Sequence, residues 1–156
     1  MLNLIETEHR IIEFIQKTVA EAGAKGAVVG VSGGIDSAVV AALLIKALGK
    51  KHVLGLLLPC GNCSEDLEDG HLLANHLDME HIRIDLTQTY QAFLKDNGET
   101  HKATLCFGNI KPRLRMTTLY FHGAKRGYLV AGTSNKSELV TGYLTKYGDG
   151  GVDFEP

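Results

Sequence analysis

Apolar positions recur along this chain in two periods, and the two alternate. Leu4, Ile5, Ile11, Ile12, Phe14, Ile15 and Val19 fall at helical spacing, which predicts an amphipathic helix ending near Gly23. Ala27 to Val31 is instead a short continuous apolar run, the pattern of a strand covered on both faces. A glycine-rich turn at Ser32-Gly33-Gly34 separates it from a predicted helix over 36–48, with Gly49 as its C-cap. Val53 to Leu58 reads as a second buried strand, stopped by Pro59. Ser64, with Glu65, Asp66 and Glu68 behind it, reads as an N-cap and an acidic first turn of a helix to about Leu77. Ile82 to Ile84 marks a third strand, residues 87–94 a further helix, and Asn97-Gly98 a turn within the polar stretch 95–104. Residues 109–126 carry Ile110, Leu114, Leu119 and Tyr120 on a helical stripe; Pro112 is tolerated there only in the first turn. Tyr128 to Ala131 is a fourth strand, and Ser137 is expected to cap a short helix.

Strand and helix alternating at this rhythm predict an α/β fold, a doubly wound parallel sheet with helices on both faces. Ligands of such sheets sit outside the carboxyl ends of the strands, near the switch in strand order. Polar and glycine-rich segments at 32–37, 59–64 and 132–138 fall at those predicted ends. Length and charge add bounds. The 156 residues suit a single domain over 1–156 with one real core, and 44% hydrophobic against 22% charged residues excludes the disordered class. A net charge of −2 and 6% aromatics without Trp give no footprint for nucleic acid. No apolar stretch reaches the roughly 18 residues of a membrane span, and the N-terminus lacks a signal-peptide pattern, so a cytoplasmic location is expected.

Three cysteines do not complete a disulfide framework. Cys60 and Cys63 have C-x-x-C spacing, but the second half of a four-ligand zinc motif is missing, so reduced thiols are expected. The seven histidines show no metal spacing and read as bystanders.

The chemistry concentrates in Gly30-Val31-Ser32-Gly33-Gly34-Ile35-Asp36-Ser37, between the first strand and its helix. Its glycines let the backbone turn tightly and bring N–H groups to an anion, while the helix N-terminus adds partial positive charge. Ser32 and Ser37 add hydroxyl donors. Asp36 would repel phosphate unless a cation stood between them, which points to Mg²⁺. The segment is neither a Walker A loop nor the dinucleotide fingerprint. On the residues alone, an ordinary glycine turn with Asp36 as an N-cap is an equal reading.

Ser-Gly-Gly-Ile-Asp-Ser resembles the pyrophosphate loop of the N-type ATP pyrophosphatases. Gly108-Asn-Ile-Lys-Pro-Arg-Leu-Arg-Met116, the block Gly132 to Asp153 and Leu54-Gly-Leu-Leu-Leu-Pro59 are similar to the ammonia-dependent NAD synthetases of that superfamily. The resemblance covers essentially the whole chain. It implies a Rossmann-like fold of the adenine nucleotide α-hydrolase type. It also implies a reaction in which ATP adenylates the nicotinate carboxylate of deamido-NAD, releasing pyrophosphate, before ammonia displaces AMP to give NAD. By position, Gly30, Val31, Ser32, Gly33, Gly34, Ile35, Asp36 and Ser37, with Thr133, would hold ATP. Asp36 and Glu138 would hold Mg²⁺; Arg113, Lys146 and Asp153 would contact deamido-NAD. Asp149 would accept hydrogen bonds from ammonium and, with Asp36, act in catalysis. Free ammonia or an ammonia-donating partner would supply nitrogen, and a homodimer is implied. The family pattern continues past the position of Pro156, with a further lysine at the ATP phosphates, a closing loop and basic residues toward deamido-NAD. Two other expectations therefore stand beside the first: a non-catalytic ATP- and Mg²⁺-binding remnant, and a different pyrophosphatase, such as a tRNA-thiolating enzyme using Cys60 and Cys63.

Overall fold

The computed structural model describes residues 3–61, 64–99 and 105–156. Strands β1 (Gly26–Gly30), β2 (Val53–Leu57), β3 (Glu80–Arg83) and β4 (Tyr128–Ala131) form one parallel sheet in the order β3-β2-β1-β4. The helices are α1 (Leu4–Glu21), α2 (Ile35–Leu48), α3 (Ser64–His76), α4 (Thr87–Asp96), α5 (Leu105–Gly108), α6 (Ile110–Arg126) and α7 (Lys136–Thr141).

Alternation along the central strands divides the core in two. Ala27, Val29 and Val31 of the β1 segment, with Val53 and Leu57, face Ile15 of α1, Val40, Ala41 and Leu44 of α2, and Ala74 of α3. Val28, Leu54, Leu56 and Val130 face the opposite way, toward Tyr90 of α4 and Leu114, Leu119 and Tyr120 of α6. Helices thus cover both faces, which is why β1 and β2 read as unbroken apolar runs. The doubly wound α/β expectation holds. β3 is a half-buried edge strand, and its apolar content is correspondingly thin.

β1, β2 and α4 differ from the sequence pattern by one or two residues at their ends, and four further differences have a local reason. β3 runs from Glu80 to Arg83 and not over 82–84, because pairing of Leu54 with Glu80 through Leu57 with Arg83 sets its span. Residues 105–108 form a helical turn where no element was expected. α2 starts at Ile35 with Gly34 as N-cap, so Asp36 lies in the first turn and is not the cap. α7 is capped by Asn135, not Ser137: Asn135 and Glu138 form a reciprocal capping box. Pro112 is the third residue of α6, inside the first turn, where its missing N–H costs no helical bond. Cys63, and the side chains of Ser64 and Cys106, lie outside the described residues.

Crossovers place the site. From β1 the chain steps to β2 and then β3 on one side, and α6 carries it back across the sheet to β4 on the other. The strand order therefore switches between β1 and β4. Close approach of α6 to the sheet depends on Gly123, the buried residue of that helix. A Cβ there would stand 2.9 Å from Tyr128 O and 3.3 Å from Val28 Cγ1.

Two effects oppose each other in Gly123→Ala. Alanine gains about 1 kcal/mol of helix propensity, while overpacking against backbone typically costs ~1–3 kcal/mol. Because the nearest atom is a carbonyl oxygen that cannot rotate away, a net loss of about 1 kcal/mol or more is expected. Urea unfolding reads it: a lower midpoint supports the close approach, and a higher one refutes it.

Candidate functional site

The loop leaving β1 and the loop leaving β4 meet at the switch point. With the 144–151 segment they enclose a cleft of about 170 Å³ lined by Ser32, Gly34, Asp36, Ser37, Thr133, Ser134, Glu138 and Asp149. Seven of these eight are candidates named from sequence, and they come from three separate stretches of chain.

The turn after β1 is held by its own side chains. Gly33 has φ +84°, a left-handed conformation that glycine adopts without a Cβ penalty. Ser37 Oγ donates to Gly34 O at 3.0 Å and accepts from Ser32 N–H at 3.2 Å. Ser32 Oγ accepts from Gly34 N–H at 3.2 Å and lies 3.1 Å from Ser37 Oγ. With the Ser37 proton directed to Gly34 O, the Ser32 hydroxyl proton is the one an incoming anion would recruit. The first-turn N–H groups of α2 have no intrahelical partner and face the same end. Gly30 and Val31 place this turn from beneath: Val31 N–H still bonds Leu56 O at 2.9 Å, although the ladder of β1 ends at Gly30. Ile35 is exposed and does not line the cleft.

Opposite, Asp36 Oδ2 accepts from Asn135 Nδ2 at 3.3 Å. Glu138 Oε2 accepts from Asn135 N–H at 3.0 Å, and Asn135 Oδ1 accepts from Glu138 N–H at 3.0 Å. Among the described residues neither carboxylate belongs to an ion pair. No group of three or more His, Cys, Asp or Glu is placed to hold a metal by itself among them. Asp36 and Glu138 nonetheless fit Mg²⁺, which is usually bound by one or two carboxylates together with substrate phosphates. Both line the cleft into which the anion-binding turn opens.

Asp149 reaches the cleft from a glycine-rich loop packed on the start of α6. Asp149 Oδ1 accepts from Thr145 N–H at 2.9 Å, and the Thr145 hydroxyl donates to Asn109 Oδ1 at 3.2 Å. Gly148 is buried, and a Cβ there would meet Pro112 Cβ and Thr145 Cβ at 2.9 Å. Tyr147 has φ +58°, a strained conformation for a residue with a Cβ. Arg113 Nε donates to Lys146 O at 3.2 Å, and Lys146 Nζ lies 5.1 Å from the Tyr147 ring centroid. Arg113 and Lys146 are thus brought together on an exposed surface, outside the cleft lining. Asp153 stands apart from both: Oδ1 accepts from Tyr120 OH at 3.0 Å and Oδ2 from Val130 N–H at 2.7 Å. Burial and the Asp153 carboxylate push the Tyr120 hydroxyl up to about 12.

Cys60 is buried and free, its Sγ 3.8 Å from Leu86 O. Burial raises its pKa, which keeps it a thiol rather than a thiolate ligand or nucleophile.

Sequence reasoning missed three residues, Ser134 of the cleft lining, Asn135 and Glu155. Glu155 Oε2 accepts from Ser134 N–H at 3.2 Å, and a Cβ on Gly132 would collide with its carboxylate. Gly132 N–H also bonds Phe154 O at 2.9 Å, so the 153–155 segment lies beside β4 and braces the loop that bears Thr133. None of the three has a long-range pattern in sequence; only the capping-box spacing Asn135 to Glu138 was visible.

The family model for NAD synthase matches residues 7–156. The chain belongs to the NAD synthase family. The NH(3)-dependent NAD(+) synthetase of Carboxydothermus hydrogenoformans is 47% identical over 158 aligned positions, covering 99% of this chain and 65% of that protein. Among solved structures, the NH3-dependent NAD synthetase of Campylobacter jejuni superposes with a TM-score of 0.92 at 39% identity, covering all of this chain and 67% of that one. The NMN synthetase of Francisella tularensis gives the same TM-score at 34% identity and 65% coverage of its chain. The chain therefore spans about two thirds of the length of these relatives. Membership removes the tRNA-thiolating alternative, in agreement with a buried, protonated Cys60. It also identifies the fold as the Rossmann-like, adenine nucleotide α-hydrolase type.

Burial pushes the Glu155 carboxyl up, against the Ser134 hydrogen bond and with the charges of Asp149 and Glu138. A carboxyl whose folded-state pKa is raised favours folding below its unfolded value of about 4.3, and that contribution is lost as pH rises through the raised value. Without divalent cation, Glu155→Gln should therefore gain thermal stability relative to the parent between pH about 4 and 7. The gain should be at most about 2–4 °C, since the group is partly open to solvent screening. An unchanged gap between the two melting points across that range would refute it.

Proposed function

We propose that the chain carries out, or forms the nucleotide-binding core for, ATP-dependent amidation of deamido-NAD by ammonia. The observation that carries this reading is the convergence of the β1–α2 turn, the β4–α7 loop and Asp149 on one cleft at the switch in strand order. The first-turn N–H groups of α2 and the Ser32 hydroxyl would bind ATP phosphates and the leaving pyrophosphate. Asp36 and Glu138 would hold Mg²⁺, which when bound neutralises the phosphate charge that accumulates at the leaving group. Thr133 would position ATP from the β4 side. The nicotinate carboxylate then attacks the α-phosphorus, forming a carboxyl–phosphate bond as the bond to pyrophosphate breaks. Ammonia adds to the activated carbonyl, and AMP departs. Asp149 would accept hydrogen bonds from ammonium at the edge of that carbonyl. Catalysis on this account is positioning and charge neutralisation, with no covalent enzyme intermediate.

Arg113 and Lys146, adjacent and exposed, are suited to a dinucleotide's phosphates. Asp153 would reach deamido-NAD only from its place beside Tyr120. Leu139, Val140, Tyr143 and Tyr147 are half or more exposed on α7 and the loop after it, which supports a second copy of the chain covering this face. Sedimentation at micromolar concentration reads that assembly; a monomer throughout would refute it. Among the described residues no helix is long and apolar enough to cross a membrane.

Pyrophosphate release with ATP and Mg²⁺ tests the activity. The expected result is release that requires both deamido-NAD and ammonium, with NAD formed and a loss of about 100-fold or more in Asp36→Ala. Intact ATP binding with no deamido-NAD-dependent release would instead favour the binding-only remnant.

A further inference from the structure

Asn135 touches both carboxylates proposed to hold the cation, and its three hydrogen bonds with Asp36 and Glu138 divide into two kinds. The reciprocal pair with Glu138 is an ordinary capping box, satisfying N–H groups at the start of α7. The third bond, from Asn135 Nδ2 to Asp36 Oδ2 at 3.3 Å, does nothing for the cap. It crosses the cleft to a residue 99 positions away in sequence, in the first turn of α2.

The effect is to fix one oxygen of each carboxylate through a single neutral residue. Oδ2 of Asp36 is held by the amide nitrogen and Oε2 of Glu138 by the Asn135 backbone N–H. Asp36 Oδ1 and Glu138 Oε1 have no hydrogen-bond donor among the described residues. Two carboxylates facing one cleft repel each other, and a neutral donor between them offsets that repulsion without placing a cation there. Aspartate would cap α7 equally well, but it has no donor for Asp36 and would add a third negative charge. Serine or threonine would also cap, again without reaching Asp36 as a donor. The choice of asparagine is thus explained by the second contact and not by the first.

We propose that Asn135 is a positioning residue that clasps Asp36 to Glu138 and so sets the geometry in which a divalent cation and ATP are held together. This rests on the reading of Asp36 and Glu138 as cation ligands. Outer contacts that orient metal ligands are generally worth about 10–100-fold in metal affinity.

The test is ATP binding by titration calorimetry at stepped Mg²⁺ concentrations, comparing the parent chain with Asn135→Ser and Asn135→Ala. Asn135→Ser keeps a cap and loses the clasp, so its melting point should stay within about 2 °C of the parent. Its half-saturating Mg²⁺ concentration should rise by about 10-fold or more. Asn135→Ala should show the same rise in Mg²⁺ requirement together with a lower melting point. Asn135→Thr, another capping residue, replaces the serine variant should that one fold poorly. A parent-like Mg²⁺ requirement in the capping variant would overturn the proposal and leave Asn135 a helix cap only. A parent chain whose ATP binding ignores Mg²⁺ would overturn the reading of Asp36 and Glu138 beneath it.

Discussion

Strand β1 is paired on both edges, Val28 with Leu54 of β2 on one side and with Val130 of β4 on the other. Because both ladders are parallel, each of these strands must be followed by a crossover, and the crossovers on the two sides diverge. The carboxyl end of β1 is therefore flanked by the loop after β4 without a connection passing over it. That gap is what admits a ligand. Packing supports the arrangement from both faces: Val29 and Val31 key into α2, and Gly123 lets α6 lie against β1 and β4. If β4 were displaced, Thr133, Ser134 and Glu138 would leave the neighbourhood of Ser32 and Asp36.

The electrostatics of the cleft have two halves that would conflict if either stood alone. Around Ser32 and Gly34 the backbone offers N–H donors and the positive end of α2 to an anion. Beside them Asp36, Glu138 and Asp149 place negative charge where phosphates would lie. On the proposed reading a hard cation would reconcile the halves, since it takes oxygens from the carboxylates and from the phosphates that the N–H groups hold. Behind the loop, burial first and then the charges of Asp149 and Glu138 raise the proton affinity of Glu155. The strain at Tyr147 belongs to the same logic. A turn held by Thr145, Asn109 and Gly148 is stiff enough to keep a residue with a Cβ at positive φ, and it presents Asp149 to the cleft.

Much of this is legible in the sequence. The two-sided burial of β1 and β2 wrote itself as Val-Val and Leu-Leu-Leu runs, and the turn chemistry of Ser32 to Ser37 declared an anion site or a plain turn. What the pattern could not show were contacts between distant segments. β3 was shifted because an edge strand has no strong apolar signature and its span is set by pairing with β2. The sequence pattern names Ser137 as the cap of α7; Asn135 is of an equally good capping type, and only its bonds with Glu138 show that it is the cap. Glu155 carried no local signal, since its partner Ser134 lies 21 positions earlier. Resemblance alone groups Arg113, Lys146 and Asp153; Arg113 bonds the Lys146 carbonyl, while Asp153 bonds Tyr120 and Val130, contacts that no local pattern announces.

The central claim is that the switch-point cleft is the nucleotide site. Backbone amide chemical shifts of the uniformly ¹⁵N-labelled chain, recorded while ATP and Mg²⁺ are added, test it most directly. The largest changes are expected on residues 31–37 and 132–138, with smaller ones near Asp149. Changes confined to the apolar groove formed by Thr7, Arg10, Ile11 and Phe14 on the far side of Glu155, with the β1–α2 turn unmoved, would contradict it.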